Sequence, residues 1–433
     1  MSQNIFRKIL EDHKKLSSLP QILVEVIRVA NNSDTSIADL SNVVKKDPGL
    51  STKLLRVVNS PFYAPANEIT TISQAVASLG TRAVTAFALS SSIYELINNV
   101  DVSIDRKKFW RHSLEVAMIS RKIAEAVDYQ PAEEAFTAGL LHDIGVLILE
   151  SSFPDTFKSV WKLAETGKNL TAVEESYWST NHARAGQFML DQWNIPKVIS
   201  EAVGEHHLII NEEAETRPHR LSLIVNLANS VSKFRVHHMP PPESEQLENK
   251  KNLAAGLDLS HSALSDIERN IISEVVSESG YLEIDIGSIE DILREANELL
   301  YNQYIHAERL LQEKNAIQKQ VNIDPDGQEI VNTLKEAISV FGKLVRDSSA
   351  LILEQAKRLN IAVENNHIID KRKIVNSTIV SISGCIDSVS SLIKEMEKIS
   401  TGNSFCSNDF IVDLRNRFNN RIKNSALVEK PVG

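Results

Sequence analysis

A chain of 433 residues exceeds what one ordinary hydrophobic core organises, so two or three domains are expected. Its 42% hydrophobic and 24% charged residues suit a folded protein, while 15 glycines and 13 prolines are too few for a turn-rich β architecture. A formal charge of −10 without a sustained basic stripe argues against a protein that grips nucleic acid by its phosphates.

The two cysteines, Cys385 and Cys406, exclude a disulfide framework and point to a reducing compartment. No stretch approaches the roughly 18 apolar residues of a membrane span. The first residues, MSQNIFRKILEDHKKL, are charged and lack the apolar run of a secretory signal. The expected location is cytoplasmic.

The chain opens as short helices. Ile5, Phe6, Ile9 and Leu10 share one face of the first, and Ile22, Leu23, Val26, Ile27 and Ala30 one side of the second. Pro20 suits the first turn of that second helix, and Ser36 can cap the third. Asp47-Pro48-Gly49 is a turn signal ahead of LSTKLLRVVNS, which Asn59-Ser60-Pro61 stops. The segment ITTISQAVASLG ends at Gly80, a good C-terminal residue for a helix.

Helices continue from 106 to about 237, up to the loop His237-His238-Met239-Pro240-Pro241-Pro242. Residues 258–285 then pack a last helix pair onto the same domain. From Ser288 the apolar residues Ile289, Ile292, Leu293, Ala296, Leu299 and Leu300 follow helical spacing, which predicts a long exposed helix over 288–323. After the break at Asp324-Pro325-Asp326-Gly327, residues 324–400 read as a helical hairpin or bundle, and 401–433 as a frayed tail.

The residues with chemistry in them are histidines. His112 lies in FWRHSLEVA, His142-Asp143 in LLHDIG, and His182 and His206-His207 follow. Imidazole nitrogen and carboxylate oxygen are the usual ligands of divalent first-row metals, and a His-Asp doublet can offer both to one ion. A single histidine of this kind is more often a hydrogen-bonded core residue; several in order make descent from a metal site as good a reading as the core one. Trp110, Trp161, Trp178 and Trp193 read as core packing. Gly139 and Gly145, which bracket the doublet, are explained by close helix packing as well as by a ligand.

FWRHSLEVAMISRKIAEAV, AFTAGLLHDIG and STNHARAGQFMLDQWNIPKVISEAVGEHH together resemble the HD superfamily of metal-dependent phosphohydrolases. The upstream motifs LPQILVEVIRVANN, DPGLSTKLLRVVNSPFYA and ITTISQAVASLG narrow this to a resemblance to the HDOD domain, a signalling relative, over about residues 5–285. The resemblance implies an all-α fold: residues 1–100 as its N-terminal helical part and 101–287 as its HD-like part. It further implies His112, His142 and Asp143 as metal ligands, with His182, His206 and His207 as a second metal or phosphate contact.

The sequence departs from the catalytic pattern at Asn229, in LIVNLANSVS, where the family's hydrolases place an Asp. An amide brings no negative charge to an ion. The Gly-Tyr-Pro signature of cyclic-dinucleotide phosphodiesterases is also missing after His206-His207. His306 and His367 are followed by Ala307 and Ile368 rather than an acidic residue, which argues against a histidine-kinase helix.

The expected function is therefore regulatory: a degenerate HD domain acting through a conformational relay to a signalling partner, with a possible homodimer through the C-terminal helices. The alternative is a metal-dependent phosphohydrolase or phosphodiesterase using Mn, Fe, Zn or Mg.

Overall fold

The structure is a computed structural model that describes residues 5–9, 20–30, 32, 36–60, 63, 65–98, 102–165, 168–208, 218–232, 243–288 and 291–292. The chain divides into two compact units, residues 1–286 and 287–433. The expected C-terminal bundle and tail, the dimer through them, nearly all of the long helix, and the loop 237–242 lie outside the described residues.

Among the described residues every regular element is an α-helix. In the first unit these are α1 (Gln21–Ala30), α2 (Ile37–Lys45), α3 (Pro48–Val58), α4 (Ile72–Leu79) and α5 (Thr81–Asn98). Then come α6 (Arg106–Ala126), α7 (Ala132–Leu141), α8 (Ile144–Ser152), α9 (Pro154–Glu165) and α10 (Leu170–Trp178). α11 (His182–Gln192), α12 (Lys197–Glu205), α13 (Arg220–Val231), α14 (Glu243–Gly256) and α15 (His261–Leu282) complete it. None is long and apolar enough to cross a membrane among the described residues.

Local signals set the helix ends. Ser36 accepts from the Asp39 amide while the Asp39 carboxylate accepts from the Ser36 amide, a reciprocal cap at the start of α2. Asp47 caps α3 and Pro48 is its first residue, so the turn signal starts a helix directly. Pro20 stands one residue ahead of α1, its carbonyl accepting from the Val24 amide, rather than inside the first turn. Gly80 ends α4 at φ +85°, where a side chain would be strained.

Asn59 does more than stop α3. Its amide nitrogen donates to the Leu55 and Ile69 carbonyls, and its amide oxygen accepts from the Ile69 N–H, all at 2.8 Å. An Asn59→Asp side chain has the same shape but no donor, and would face two carbonyls with a carboxylate. It should lower unfolding stability by about 2–3 kcal/mol in urea titration, from two lost donors and the repulsion that replaces them.

α6 forms the spine of the unit. It is buried on nearly all sides, packing against α7, α13 and α15. Trp110 is 1% exposed and meets Tyr94 edge-on at 4.7 Å between ring centroids. Trp178 packs on Phe153 and Phe157, and Trp193 is likewise buried. These three tryptophans are core residues, while Trp161 stacks on Phe157 from a half-buried position.

α7 lies close along α6. A Cβ on Gly139 would come 2.7 Å from the Ala117 Cα, which is why that crossing carries glycine. α8 and α11 approach through Gly145 and Gly186 in the same way. These two glycine crossings place His112, His142, Asp143 and His182 around one point.

Candidate metal centre

His112 comes from the N-terminal half of α6, His142 and Asp143 from the junction of α7 and α8, His182 from the start of α11, and His206 and His207 from the end of α12. His112, His142, His182 and His206 are each at most 3% exposed, and Asp143 is 9% exposed; His207 is on the surface. All six sequence-predicted histidine and aspartate positions converge.

They form two groups that share Asp143: His112, His142 and Asp143, and Asp143, His182, His206 and His207. Asp143 divides its oxygens between them. Oδ2 lies 3.5 Å from His112 Nε2 and 3.4 Å from His142 Nε2. Oδ1 lies 3.4 Å from His182 Nε2 and 3.2 Å from His206 Nε2. The Nε2 atoms of His112 and His142 are 3.2 Å apart, and those of His182 and His207 are 3.0 Å apart.

Each buried ring is held from behind. His142 Nδ1 donates to the Gly139 carbonyl at 2.8 Å and His206 Nδ1 to the Val203 carbonyl at 2.6 Å. His182 Nδ1 meets Glu174 Oε2 at 2.7 Å, and the same oxygen accepts from the His182 amide at 2.9 Å. His112 Nδ1 meets Ser232 Oγ at 3.0 Å, and that hydroxyl in turn donates to Glu115. Such outer partners fix the tautomer and aim of a metal-binding imidazole.

The donor set fits a divalent ion. A carbonyl can only accept, so His142 and His206 each hold a proton on Nδ1, and neutral His142 turns its Nε2 lone pair toward the Asp143 carboxylate. Lone pair against carboxylate is repulsive unless a cation lies between them. Consistently, Asp143 Oδ1 and His206 Nε2 are buried without a hydrogen-bond partner. Two ligands about 2.1 Å from one ion and 90–110° apart are roughly 3.0–3.4 Å from each other, and the spacings above, 3.0–3.5 Å, lie in or next to that range. The His/Asp cluster can therefore hold metal.

Electrostatics separate the rings. Burial is the main cause that pushes the His142 pKa down to about 3, so it is neutral. Burial also disfavours the His182 imidazolium, but Glu174 and then Asp143 carry its pKa up to about 10. Asp143 is held well below the ordinary carboxylate range, because the surrounding imidazoles outweigh its burial.

Asn229 is 9% exposed on α13, one turn before Ser232. The partners that sequence reasoning missed are Glu174, Glu115 and Ser232. Glu174 left a trace: it falls on the apolar stripe of α10, four residues from both Leu170 and Trp178, where a charge needs a buried partner. Glu115 left none, since α6 has no exposed face against which to judge it. Glu174→Gln keeps shape but is a weaker acceptor for the His182 Nδ1–H, so it no longer fixes the tautomer that leaves Nε2 free for an ion. Metal affinity should fall about 10- to 100-fold by isothermal titration.

Residues 16–209 match the family model described as HDOD domain. An uncharacterized protein of Treponema pallidum is 24% identical over 221 residues, 51% of this chain and 42% of that protein. Ribonuclease Y of Chlorobaculum tepidum is 26% identical over 168 residues, 38% of this chain and 26% of that protein. The chain thus spans less than half the length of these curated relatives. A solved structure from Shewanella amazonensis, described as a candidate phosphohydrolase, is 22% identical, covers 65% of this chain and 98% of its own, and superposes with a TM-score of 0.49.

Proposed function

Since residues 16–209 of this chain are an HDOD domain, we propose that the protein is a signal-transduction regulator whose His/Asp centre binds divalent metal and whose output is a conformational change passed to a protein partner. The observation that carries this reading is Asp143, shared between two ligand groups drawn from α6, the α7–α8 junction, α11 and α12. An ion in either group would tie separate helices together. Metal occupancy is then a bias between two packings, which needs no bond chemistry.

Asn229 supports regulation over turnover. Asp143 is the one carboxylate in the two ligand groups, and an amide at 229 adds no second charge. His112, His142 and Asp143 would hold one ion, and Asp143, His182, His206 and His207 another. A bound ion would supply Lewis acidity; Mn, Fe, Zn and Mg all suit parts of this donor set. The unit from residue 287 onward is proposed to dock the partner or to pair with a second copy.

The second reading is a metal-dependent phosphohydrolase or phosphodiesterase. It is favoured by His207, whose exposure brings the second group within reach of solvent. The match to a Ribonuclease Y points the same way, over 26% of that protein.

The test loads the purified chain with Mn, Fe, Zn or Mg in turn, then measures bound metal and hydrolysis of bis(p-nitrophenyl) phosphate. The expected result is metal retained with hydrolysis no faster than a buffer blank. Hydrolysis that needs metal and disappears in His142→Ala would establish the second reading instead.

A further inference from the structure

A cavity lies apart from the histidines. It is a cleft open to solvent between α3, α5, α6, α7 and α15. Phe87, Met118, Phe136 and Leu282 give it apolar walls. Its polar groups are Tyr63, Arg121, Glu133 and Glu278. Arg121 donates to the Tyr63 hydroxyl at 3.1 Å, lies over the Tyr63 ring, and pairs with Glu133 at 3.4 Å and Glu125 at 3.1 Å.

Glu278 is the unusual member. It is 8% exposed, yet it is one of the residues that line the open cavity. Burial raises its pKa to about 7, outweighing Ser60 and Arg121, and Glu274 adds to the rise. Glu274 is itself paired with Lys122 at 2.9 Å. The lining therefore has two carboxyl groups against one guanidinium, which also serves Glu125. A buried carboxyl beside apolar walls asks for a cation that brings its own apolar body.

We propose that this cleft is a binding site for a small organic cation, an amine or amidine on an apolar body, with Glu278 as its counter-ion. The site stands on its own geometry; only the meaning of its occupancy rests on the regulator reading. Arg121 lies nine residues after His112 on α6, and Glu133 nine residues before His142 at the end of α7. Both separations are about 13 Å of helix. The crossing of Ala117 and Gly139 lies between cleft and histidines on both helices. A ligand that shifts α6 against α7 at one end moves two metal ligands at the other.

The experiment uses the full chain, with n-hexylamine and benzamidine as probes and hexanoate and hexanol as controls. The two cations should bind saturably, raising Tm by about 3 °C at ten times Kd. Glu278→Gln should weaken them at least tenfold while leaving the circular dichroism unchanged. Met118→Trp, which fills the cleft, should abolish binding without removing any charge.

Equal binding of hexanoate or hexanol, or undiminished amine binding by either variant, overturns the site. Saturating amine should also change Mn affinity at least fivefold. Amine binding with unchanged Mn affinity would leave the site in place and sink the relay.

Discussion

Asp143→Asn should empty both ligand groups at once. Asparagine preserves the size of the side chain, so the packing at the α7–α8 junction survives. What is lost is the one negative charge that both groups share, through Oδ2 toward His112 and His142 and through Oδ1 toward His182 and His206. A substitution behind a metal ligand already costs roughly 10- to 100-fold in affinity, so loss of the shared carboxylate should cost at least about 100-fold at each position. His142→Ala should affect only the first group and His207→Ala only the second. Metal analysis and isothermal titration with Mn and Zn give the answer. If Asp143→Asn retains as much metal as His207→Ala does, Asp143 is not a bridge.

The largest stability effect is expected at Gly145. A Cβ there would lie 1.9 Å from the His182 carbonyl oxygen and 2.6 Å from the Gly186 nitrogen. Those are backbone atoms, so no rotamer change can make room, and α8 must move away from α11. Gly145→Ala should therefore cost about 3–5 kcal/mol, at the upper end for an overpacked core. That corresponds to a fall in Tm of roughly 6–20 °C.

Because the clash is with the first residue of α11, His182 should be displaced, and the second ligand group should lose metal affinity as well. Gly280 is the control: it is an exposed glycine within α15, with nothing within 4 Å of its added Cβ. Gly280→Ala should stabilise the chain by about 0.5–1 kcal/mol. Differential scanning calorimetry distinguishes the pair, and a Gly145→Ala protein that melts with the parent would mean that the α8–α11 approach is wrong.

Much of this protein was legible in its sequence. Helical spacing and scarce glycine and proline specify α-helices, because burial of an amphipathic stripe is a local, periodic property. Caps at Ser36, Asp47 and Gly80 are local for the same reason, each joining atoms only a few residues apart. The candidate ligands His112, His142, Asp143, His182, His206 and His207, which the fold brings together, could be nominated from motif order, and the uncharged amide at Asn229 could be read there too.

Tertiary structure decided what no spacing encodes. That Asp143 faces two groups depends on two glycine crossings that set helix separation. That Glu174, Ser232 and Glu115 stand behind the imidazoles depends on contacts spanning 8 to 120 positions. The cleft at Glu278 is a gap left where five helices meet, and a gap has no sequence signature. Periodicity reports which face of a helix avoids water; only the packed whole determines what that face meets.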